Sequence, residues 1–166
     1  MATITFNGNP VETIGTLPKV GEKAPNFKLT SQDLSTKTLD DYKGNRVILN
    51  IFPSIDTQVC ATSVRKFNEK ATGLDNTKVL CISRDLPFAQ KRFADDEGTK
   101  NVINLSDFKE GSFGKEYGVQ LTNGAFEGLH SRAVLVLDEE GTVIHSQQVG
   151  DITEEPDYLS ALKPLL

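Results

Sequence analysis

Two apolar runs separated by a helical pattern constrain the fold of this chain most strongly. Residues 47–52 read VILNIF, a nearly continuous apolar run that is typical of a central strand buried on both faces. Residues 78–83 form a second run of this kind. Between the runs, apolar residues recur at helical spacing from Cys60 to Ala71, and Gly73 marks a stop. A strand, a helix and a strand in this order predict a βαβ unit with parallel strands.

The segments around this unit alternate between strand and helix patterns, so the chain is predicted to be of the α/β class. Residues 1–15 alternate in period two around an Asn7-Gly8 dipeptide, which predicts an N-terminal β-hairpin that decorates the domain. Further strands are expected at residues 27–29, 102–105, 132–137 and 142–149, further helices at 87–98, 108–117 and 154–165, and turns throughout 31–41.

Composition places these elements in one domain, residues 1–166, and limits the kinds of partner that the domain can bind. A chain of 166 residues can bury an ordinary core without disulfides or metals. Its 18 basic and 23 acidic residues give a net charge of -5, which would repel nucleic acid. No apolar run is long enough to span a membrane, and the first residues lack the pattern of a secretory signal. We therefore expect a cytoplasmic protein, with a periplasmic one left open, and no nucleic-acid or membrane partner.

The first turn of the predicted central helix holds a candidate nucleophile, Cys60. Amides at a helix start carry partial positive charge, which favours the thiolate form of a sulfur held there. Thr57 can cap the helix and can also donate a hydrogen bond to the sulfur or to an incoming oxygen. Pro53 fixes the backbone as it leaves the strand and shields the pocket. The only other cysteine is Cys81, so a disulfide framework and a zinc site are both unsupported.

The spacing Pro-x-x-x-Thr-x-x-Cys at residues 53–60 resembles the active site of peroxiredoxins. Three further blocks resemble the thiol peroxidase branch of that family in order and spacing, and the resemblance covers essentially the whole chain. It implies a thioredoxin-like fold with a central mixed β-sheet, flanking helices and an N-terminal hairpin, in agreement with the order of the predicted elements. The blocks are residues 79–90, 131–134 and 154–158.

The resemblance implies an enzyme that reduces hydrogen peroxide and organic hydroperoxides through a sulfenic acid on Cys60, without a cofactor. Arg132 matches the family's arginine that points at the active cysteine, where a permanent cation favours thiolate, although an arginine opening an apolar strand is usually solvated. The family's reductant is thioredoxin, and its usual assembly is a homodimer. The expected contact region lies around the active-site helix and residues 86–88, with Pro87 and Phe88 exposed.

One position departs from the family pattern. Members of this branch usually carry a second, resolving cysteine after the phenylalanine in the stretch that here reads RFADDEG, residues 92–98. Ala94 occupies that position, so the usual disulfide with Cys60 cannot form. Either a natural loss of the thiol or a deliberate replacement that holds the enzyme reduced would give this sequence. We expect impaired turnover, with Cys60 stopping at sulfenic acid or oxidising further.

Two other functions stay open from the residues alone. A missing resolving partner also fits a thioredoxin-fold binding or chaperone-like protein whose cysteine is vestigial. A histidine at position 130 allows a hydrolase that uses Cys60 and His130, although a lone histidine before a strand is more often a loop residue. Arg84 and Arg92 are expected to be surface or interface residues, and His145 is expected to be structural. Cys81 is expected to be an inert thiol within an apolar strand.

Overall fold

A seven-stranded sheet and a separate two-stranded hairpin form the framework of the protein. The structure is a computed structural model that describes all residues from 1 to 166. The strands are β1 (Thr3–Phe6), β2 (Asn9–Glu12), β3 (Lys28–Thr30), β4 (Thr36–Thr38), β5 (Arg46–Ile51), β6 (Thr77–Ser83), β7 (Ile103–Ser106), β8 (Ala133–Leu137) and β9 (Val143–Gln148). The helices are α1 (Gln58–Ala71), α2 (Pro87–Glu97), α3 (Ser112–Glu116) and α4 (Tyr158–Leu162). Two 3-10 turns lie at Leu39–Tyr42 and Lys163–Leu165.

The large sheet is mixed, with the strand order β4-β3-β7-β6-β5-β8-β9. Strands β5, β6 and β7 run parallel to one another, whereas β8 pairs antiparallel with β5, and β9 pairs antiparallel with β8. The apolar run that predicted a central strand is β5, and every residue of it after Arg46 is buried. The predicted βαβ unit, the mixed sheet and the N-terminal hairpin of a thioredoxin-like fold are confirmed.

Each face of the large sheet carries its own apolar cluster. On one face, α1 and α4 bury Phe67, Leu162 and their neighbours against β5, β6 and β8. On the other face, α3 places Phe113 against side chains of β3, β5 and β6. Because residues of β5 alternate between the two clusters, this strand is buried on both sides. Its carboxyl end is therefore a rigid place from which to present a functional loop.

The hairpin has the Asn-Gly turn that its sequence predicts. Strand β2 already begins at Asn9, so only Asn7 and Gly8 form the turn, with positive φ angles of 50° and 82°. Two consecutive residues with positive φ make the type I′ turn that suits a two-residue hairpin loop. The Asp151 carboxylate accepts hydrogen bonds from the Thr5 hydroxyl at 2.6 Å and the Gly8 amide at 3.0 Å, which tie the hairpin to the chain after β9.

Three predicted elements differ from those observed. The turn-rich stretch 31–41 contains β4, which pairs with β3 but has no apolar alternation. The third helix begins only at Ser112, after Gly111 in a left-handed conformation. The last helix begins at Tyr158 because Asp157 caps it by accepting the Ser160 amide. No helix is both long and apolar enough to cross a membrane.

Candidate active site

The loop between β5 and α1 delivers Cys60 to the carboxyl end of the central strand. Pro53 is buried just after β5, and Thr57 is the N-cap of α1 with an extended backbone. Cys60 is consequently the third residue of the helix, as predicted, and lies in the turn whose amides have no carbonyl partner within the helix. The Cys60 side chain is fully buried.

Arg132 comes to this sulfur from the strand beside β5. Ile51 pairs with Ala133, so the residue before β8 lies next to the point where β5 ends. The Arg132 Nη2 donates to Cys60 Sγ at 3.2 Å, and its Nε donates to the carbonyl of Ile152 at 2.9 Å. Only 2% of Arg132 is exposed, so the solvated position usual for such an arginine is not the one observed. A permanent cation thus touches the sulfur.

The second terminal nitrogen of Arg132 is unused. Arg132 Nη1 is buried and makes no hydrogen bond within the protein. An unpaired charged donor is costly to bury, and buried polar groups are nearly always hydrogen-bonded. The Arg132 guanidinium therefore binds Cys60 through Nη2 and keeps Nη1 as a free donor beside the sulfur.

Thr57 is oriented differently from the sequence expectation. Its hydroxyl donates to the carbonyl of Ser54 at 2.9 Å, and no hydrogen bond links it to the sulfur. The proton of this hydroxyl is therefore committed to the loop, and the oxygen lone pairs are what Thr57 can offer to a ligand. Thr57 is placed to accept a hydrogen bond from a ligand O–H group.

A pocket of about 130 Å³ opens beside these residues. Phe6 from the hairpin and Phe126 form one wall, with ring centroids 4.7 Å apart. This pair could not be predicted from the sequence, because 120 positions separate the two rings and neither belongs to a motif. The hairpin, expected to be a decoration, forms part of the site. The lining residues are Phe6, Thr57, Gln58, Val59, Phe126, Arg132, Ile152 and Thr153.

Comparison with known proteins identifies the family. The Redoxin family model matches residues 19–162. Thiol peroxidases of Mycobacterium bovis and Mycobacterium tuberculosis are each 50% identical to this chain over 165 residues, covering 99% of both sequences. The chain belongs to the thiol peroxidase family of peroxiredoxins.

Solved structures agree with this membership. A peroxiredoxin-like protein from Aquifex aeolicus superimposes with a TM-score of 0.93 at 39% identity, over 99% of this chain and 96% of that one. A thiol peroxidase from Chromobacterium violaceum gives a TM-score of 0.92 over the same shares of the two chains. Its identity of 21% makes that likeness evidence for the fold alone.

The position expected to hold a resolving cysteine lies on a weakly anchored helix. Ala94 is half-buried in α2, where only Pro87 and Gln90 are fully buried. The expectation that Pro87 is exposed is wrong, because its ring packs inward as the first residue of the helix, whereas Phe88 is 66% exposed. The second half of α2 is held by the half-buried ring of Phe93, which packs against the apolar cluster, and by the side chain of Glu97, which pairs with Arg65.

Cys81 occupies the interior of β6 and is fully buried, as is Cys60, and both cysteines are free thiols. Burial raises the pKa of the Cys81 thiol to about 12. The Asn50 side-chain amide donates to this sulfur, with Nδ2 and Sγ 3.8 Å apart. This environment is that of an unreactive thiol, in line with the expectation from the sequence.

His130 lies in the loop before β8, as expected, and its side chain is buried. Its Nε2 lies 2.8 Å from a carboxylate oxygen of Asp107, which also accepts the amides of Phe113 and Gly114 at the start of α3. The ring packs beside Phe113, on the face of the sheet opposite Cys60. A Cys60–His130 dyad is therefore excluded by geometry.

Arg84 and Arg92 both have polar partners within the protein. Arg84 is half-buried, and its guanidinium donates to the carbonyls of Asp107, Gly128 and Phe108. Arg92 is exposed and lies 3.4 Å from a carboxylate oxygen of Asp56. His145 lies on β9, where burial lowers its pKa. No cluster of three or more histidine, cysteine or acidic side chains could hold a metal ion.

Proposed function

We propose that this protein is a thiol-dependent peroxidase that reduces hydrogen peroxide and organic hydroperoxides with Cys60 as the nucleophile. The observation that carries the proposal is the 3.2 Å contact between Arg132 Nη2 and Cys60 Sγ in the first turn of α1. The thiolate is the nucleophilic form of a cysteine, and this contact sets a permanent positive charge against the sulfur. The 50% identity to proteins named thiol peroxidase supports the same function.

In the proposed reaction the Cys60 thiolate attacks the terminal oxygen of the hydroperoxide. A sulfur–oxygen bond forms as the oxygen–oxygen bond breaks, and the electron pair of the broken bond moves to the departing oxygen. That oxygen takes up a proton and leaves as water or as an alcohol, while Cys60 becomes a sulfenic acid. The protein therefore has to stabilise the negative charge that develops on the departing oxygen.

Two groups are placed for that task. The unused Arg132 Nη1 and the Cys60 backbone amide are donors already fixed beside the sulfur, so they need little reorganisation during the reaction. The Thr57 hydroxyl already donates to the Ser54 carbonyl, so its oxygen is left to accept a hydrogen bond from the peroxide O–H group. This hydrogen bond would orient the peroxide. Pro53 closes the strand end behind the site.

The pocket favours an organic group on the substrate. Phe6, Phe126, Val59 and Ile152 offer apolar surface next to Arg132. An alkyl or aryl group placed there leaves water on binding, while its peroxide oxygens face the polar end of the pocket. We therefore propose that organic hydroperoxides bind more tightly than hydrogen peroxide, and that Phe126→Ala reduces this preference.

Recycling is the step that Ala94 is proposed to impair. A resolving thiol at this position would condense with the sulfenic acid of Cys60, and thioredoxin would then reduce the disulfide. A methyl group cannot do this, so the oxidised enzyme must wait for an external thiol or oxidise further. We propose that this chain is a resolving-cysteine variant with slow turnover.

We also propose a homodimer that forms around the start of α2. Phe88 and Leu86 are 66% and 51% exposed and adjacent on the surface loop and first turn. Neighbouring apolar side chains in water are a common feature of interfaces. Light scattering at micromolar concentration should give twice the mass of the chain, and Phe88→Ser should lower it; a monomeric mass for the parent chain contradicts this assembly.

A single-turnover experiment tests the function. Reduced protein mixed with excess hydroperoxide should consume about one equivalent rapidly, with mass spectrometry locating the added oxygen on Cys60 and not on Cys81. Cys60→Ser should consume none. Arg132→Lys, which keeps the charge but loses the fork, should slow the reaction by roughly ten- to a thousand-fold. If the parent chain consumes no peroxide, the thioredoxin-fold binding protein with a vestigial cysteine becomes the better description.

A further inference from the structure

Asp85 lies at the end of β6, beside the loop that carries the active-site motif. One of its carboxylate oxygens accepts the Ser54 hydroxyl at 2.7 Å. The other accepts the Ile55 amide at 2.7 Å and the Ser83 hydroxyl at 2.6 Å. Hydrogen bonds to a carboxylate are stronger than those between neutral groups, so this one side chain fixes the middle of the loop.

The loop passes that constraint on to Thr57. The carbonyl of Ser54 accepts both the amide of Thr57, at 3.2 Å, and its hydroxyl, at 2.9 Å. The Ser54 hydroxyl, held by Asp85, accepts the Asp56 amide at 3.2 Å. Ser54 is therefore bound to Asp85 through its side chain and to Thr57 through its backbone. The direction of the Thr57 lone pairs depends on where Asp85 holds Ser54.

The same carboxylate is connected to α2. The Ser83 hydroxyl that donates to Asp85 accepts the Gln90 amide nitrogen at 3.2 Å, and Gln90 is one of the two fully buried residues of that helix. The same nitrogen also donates to the carbonyl of Leu105 at 3.0 Å. A continuous path of hydrogen bonds thus runs from the docked first turn of α2 through Asp85 to Thr57.

We propose that Asp85 is a positioning residue for peroxide reduction: it sets the orientation of Thr57, and thereby of the helix start that holds Cys60. The proposal rests on the peroxidase function proposed above. Asp85 does not line the pocket, so it acts through the loop residues Ser54 and Ile55 that it binds. Losing it frees a loop that has no strand partner, and the Thr57 oxygen then samples orientations that do not face the substrate.

The experiment compares the second-order rate of Cys60 oxidation by hydroperoxide in four proteins. Asp85→Ala should slow it by roughly ten- to a hundred-fold, the range for losing an oriented group. Asp85→Asn should recover most of the rate, because its carbonyl oxygen can still accept the Ile55 amide and the Ser83 hydroxyl while its Nδ2 donates to the Ser54 hydroxyl oxygen. Asp138→Ala is the matched control: Asp138 is also half-buried and clamps a loop by accepting the amides of Glu140 and Thr142, at the other end of the sheet. It should oxidise at the parental rate.

A double-mutant cycle separates positioning from general destabilisation. If Asp85 acts through Thr57, adding Asp85→Ala to Thr57→Val should slow oxidation little beyond Thr57→Val alone. The proposal would be overturned if the two substitutions together slowed oxidation by the product of their separate factors. It would also be overturned if Asp85→Ala oxidised at the parental rate, or if Asp85→Asn were as slow as Asp85→Ala. Should Asp85→Ala fail to fold, Ser54→Ala replaces it in the cycle and must show the same non-additivity. A parent chain that does not react with peroxide at all refutes the proposed function instead.

Discussion

Helices α1 and α2 each follow a parallel strand of the same sheet, yet they are anchored very differently. Helix α1 buries Cys60 together with Val64, Phe67 and two smaller residues. Helix α2 buries only Pro87 and Gln90, both in its first half. Since helical stability in proteins comes mostly from packing of an apolar face, α1 is anchored more firmly than α2, whose second half makes only partly buried contacts.

The difference separates two requirements of one reaction. A nucleophile has to stay in a fixed position relative to its donors, which the packing of α1 provides for Cys60. A resolving thiol has to travel to the nucleophile, which needs a segment of low local stability. The second half of α2, with Ala94 in it, meets that description. The comparison gives three predictions, in order of expected effect.

The largest effect is expected from Ala94→Cys. A thiol at this position, on the loosely held half of α2, should reach Cys60 after local unwinding and form a disulfide once Cys60 is oxidised. Peroxide consumption with thioredoxin and its reductase should then continue for many turnovers, whereas the parent chain stops after about one. Coupled assays of peroxide consumption and non-reducing mass analysis measure both outcomes.

Ala89→Cys provides the control for position. It makes the same substitution in the same helix, but in the turn that Pro87 and Gln90 anchor. That thiol should not form a disulfide with Cys60. Equal turnover for the two variants would mean that the whole of α2 unwinds and that the difference between its two halves has no functional role.

The second prediction concerns stability. Phe67 of α1 is fully buried, whereas Phe93 of α2 is half-buried at the edge of the same cluster. Phe67→Ala should lower the free energy of unfolding by about 3–5 kcal/mol, and Phe93→Ala by roughly 1 kcal/mol, because a half-exposed ring leaves little cavity behind. Urea denaturation measures both. Similar losses at the two sites would contradict the difference in anchoring.

The smallest effect is expected at the contact between the two helices. Glu97 of α2 accepts two hydrogen bonds from Arg65 of α1, at 2.8 and 2.9 Å, and these lower the pKa of the Glu97 carboxyl. Glu97→Gln should raise amide exchange in the second half of α2 by less than about fivefold at neutral pH, as befits an exposed ion pair, and leave α1 unchanged. Asp96→Asn removes a neighbouring charge that has no such partner and should have no effect.

The pH dependence of this contact follows from the direction of the pKa shift. A carboxyl whose pKa is lowered in the folded state contributes stability above its unfolded pKa, about 4.3 for glutamate, and loses that contribution as the pH falls through the folded value. The difference in exchange between Glu97→Gln and the parent chain should therefore be present at pH 7 and vanish in acid. A difference that persisted in acid would assign it to packing and not to charge.

Periodic apolar patterns in the sequence predicted the strands and helices whose buried side chains recur at regular spacing. The apolar runs gave β5 and β6, and the spacing from Cys60 to Ala71 gave α1 with the sulfur in its first turn. Strand β4 was not predicted, because its threonines and lysine show no apolar alternation. Pairing with β3 holds it in the sheet. Existence and order of elements could be predicted wherever side-chain burial repeats along the chain.

The parts of the site that could not be predicted are contacts between distant positions. Asp85 meets Ser54 across 31 positions, and His130 meets Asp107 across 23. Neither pair has a spacing that helix or strand geometry would reveal. Arg132 was found through family resemblance, since an arginine before a strand carries no sign of its own that it will be buried.

The contact between Cys60 and Arg132 also sets when the thiol can become reactive during synthesis. Arg132 is made 72 residues after Cys60, which at bacterial elongation speeds of about 5–20 residues per second is a delay of roughly 4 to 14 s. Its anchor, the carbonyl of Ile152, is made later still. Until both have been added and β8 has joined β5, the nascent chain carries an ordinary cysteine. While synthesis continues, the nascent chain therefore exposes a cysteine that still lacks the cation that contacts it in the folded enzyme.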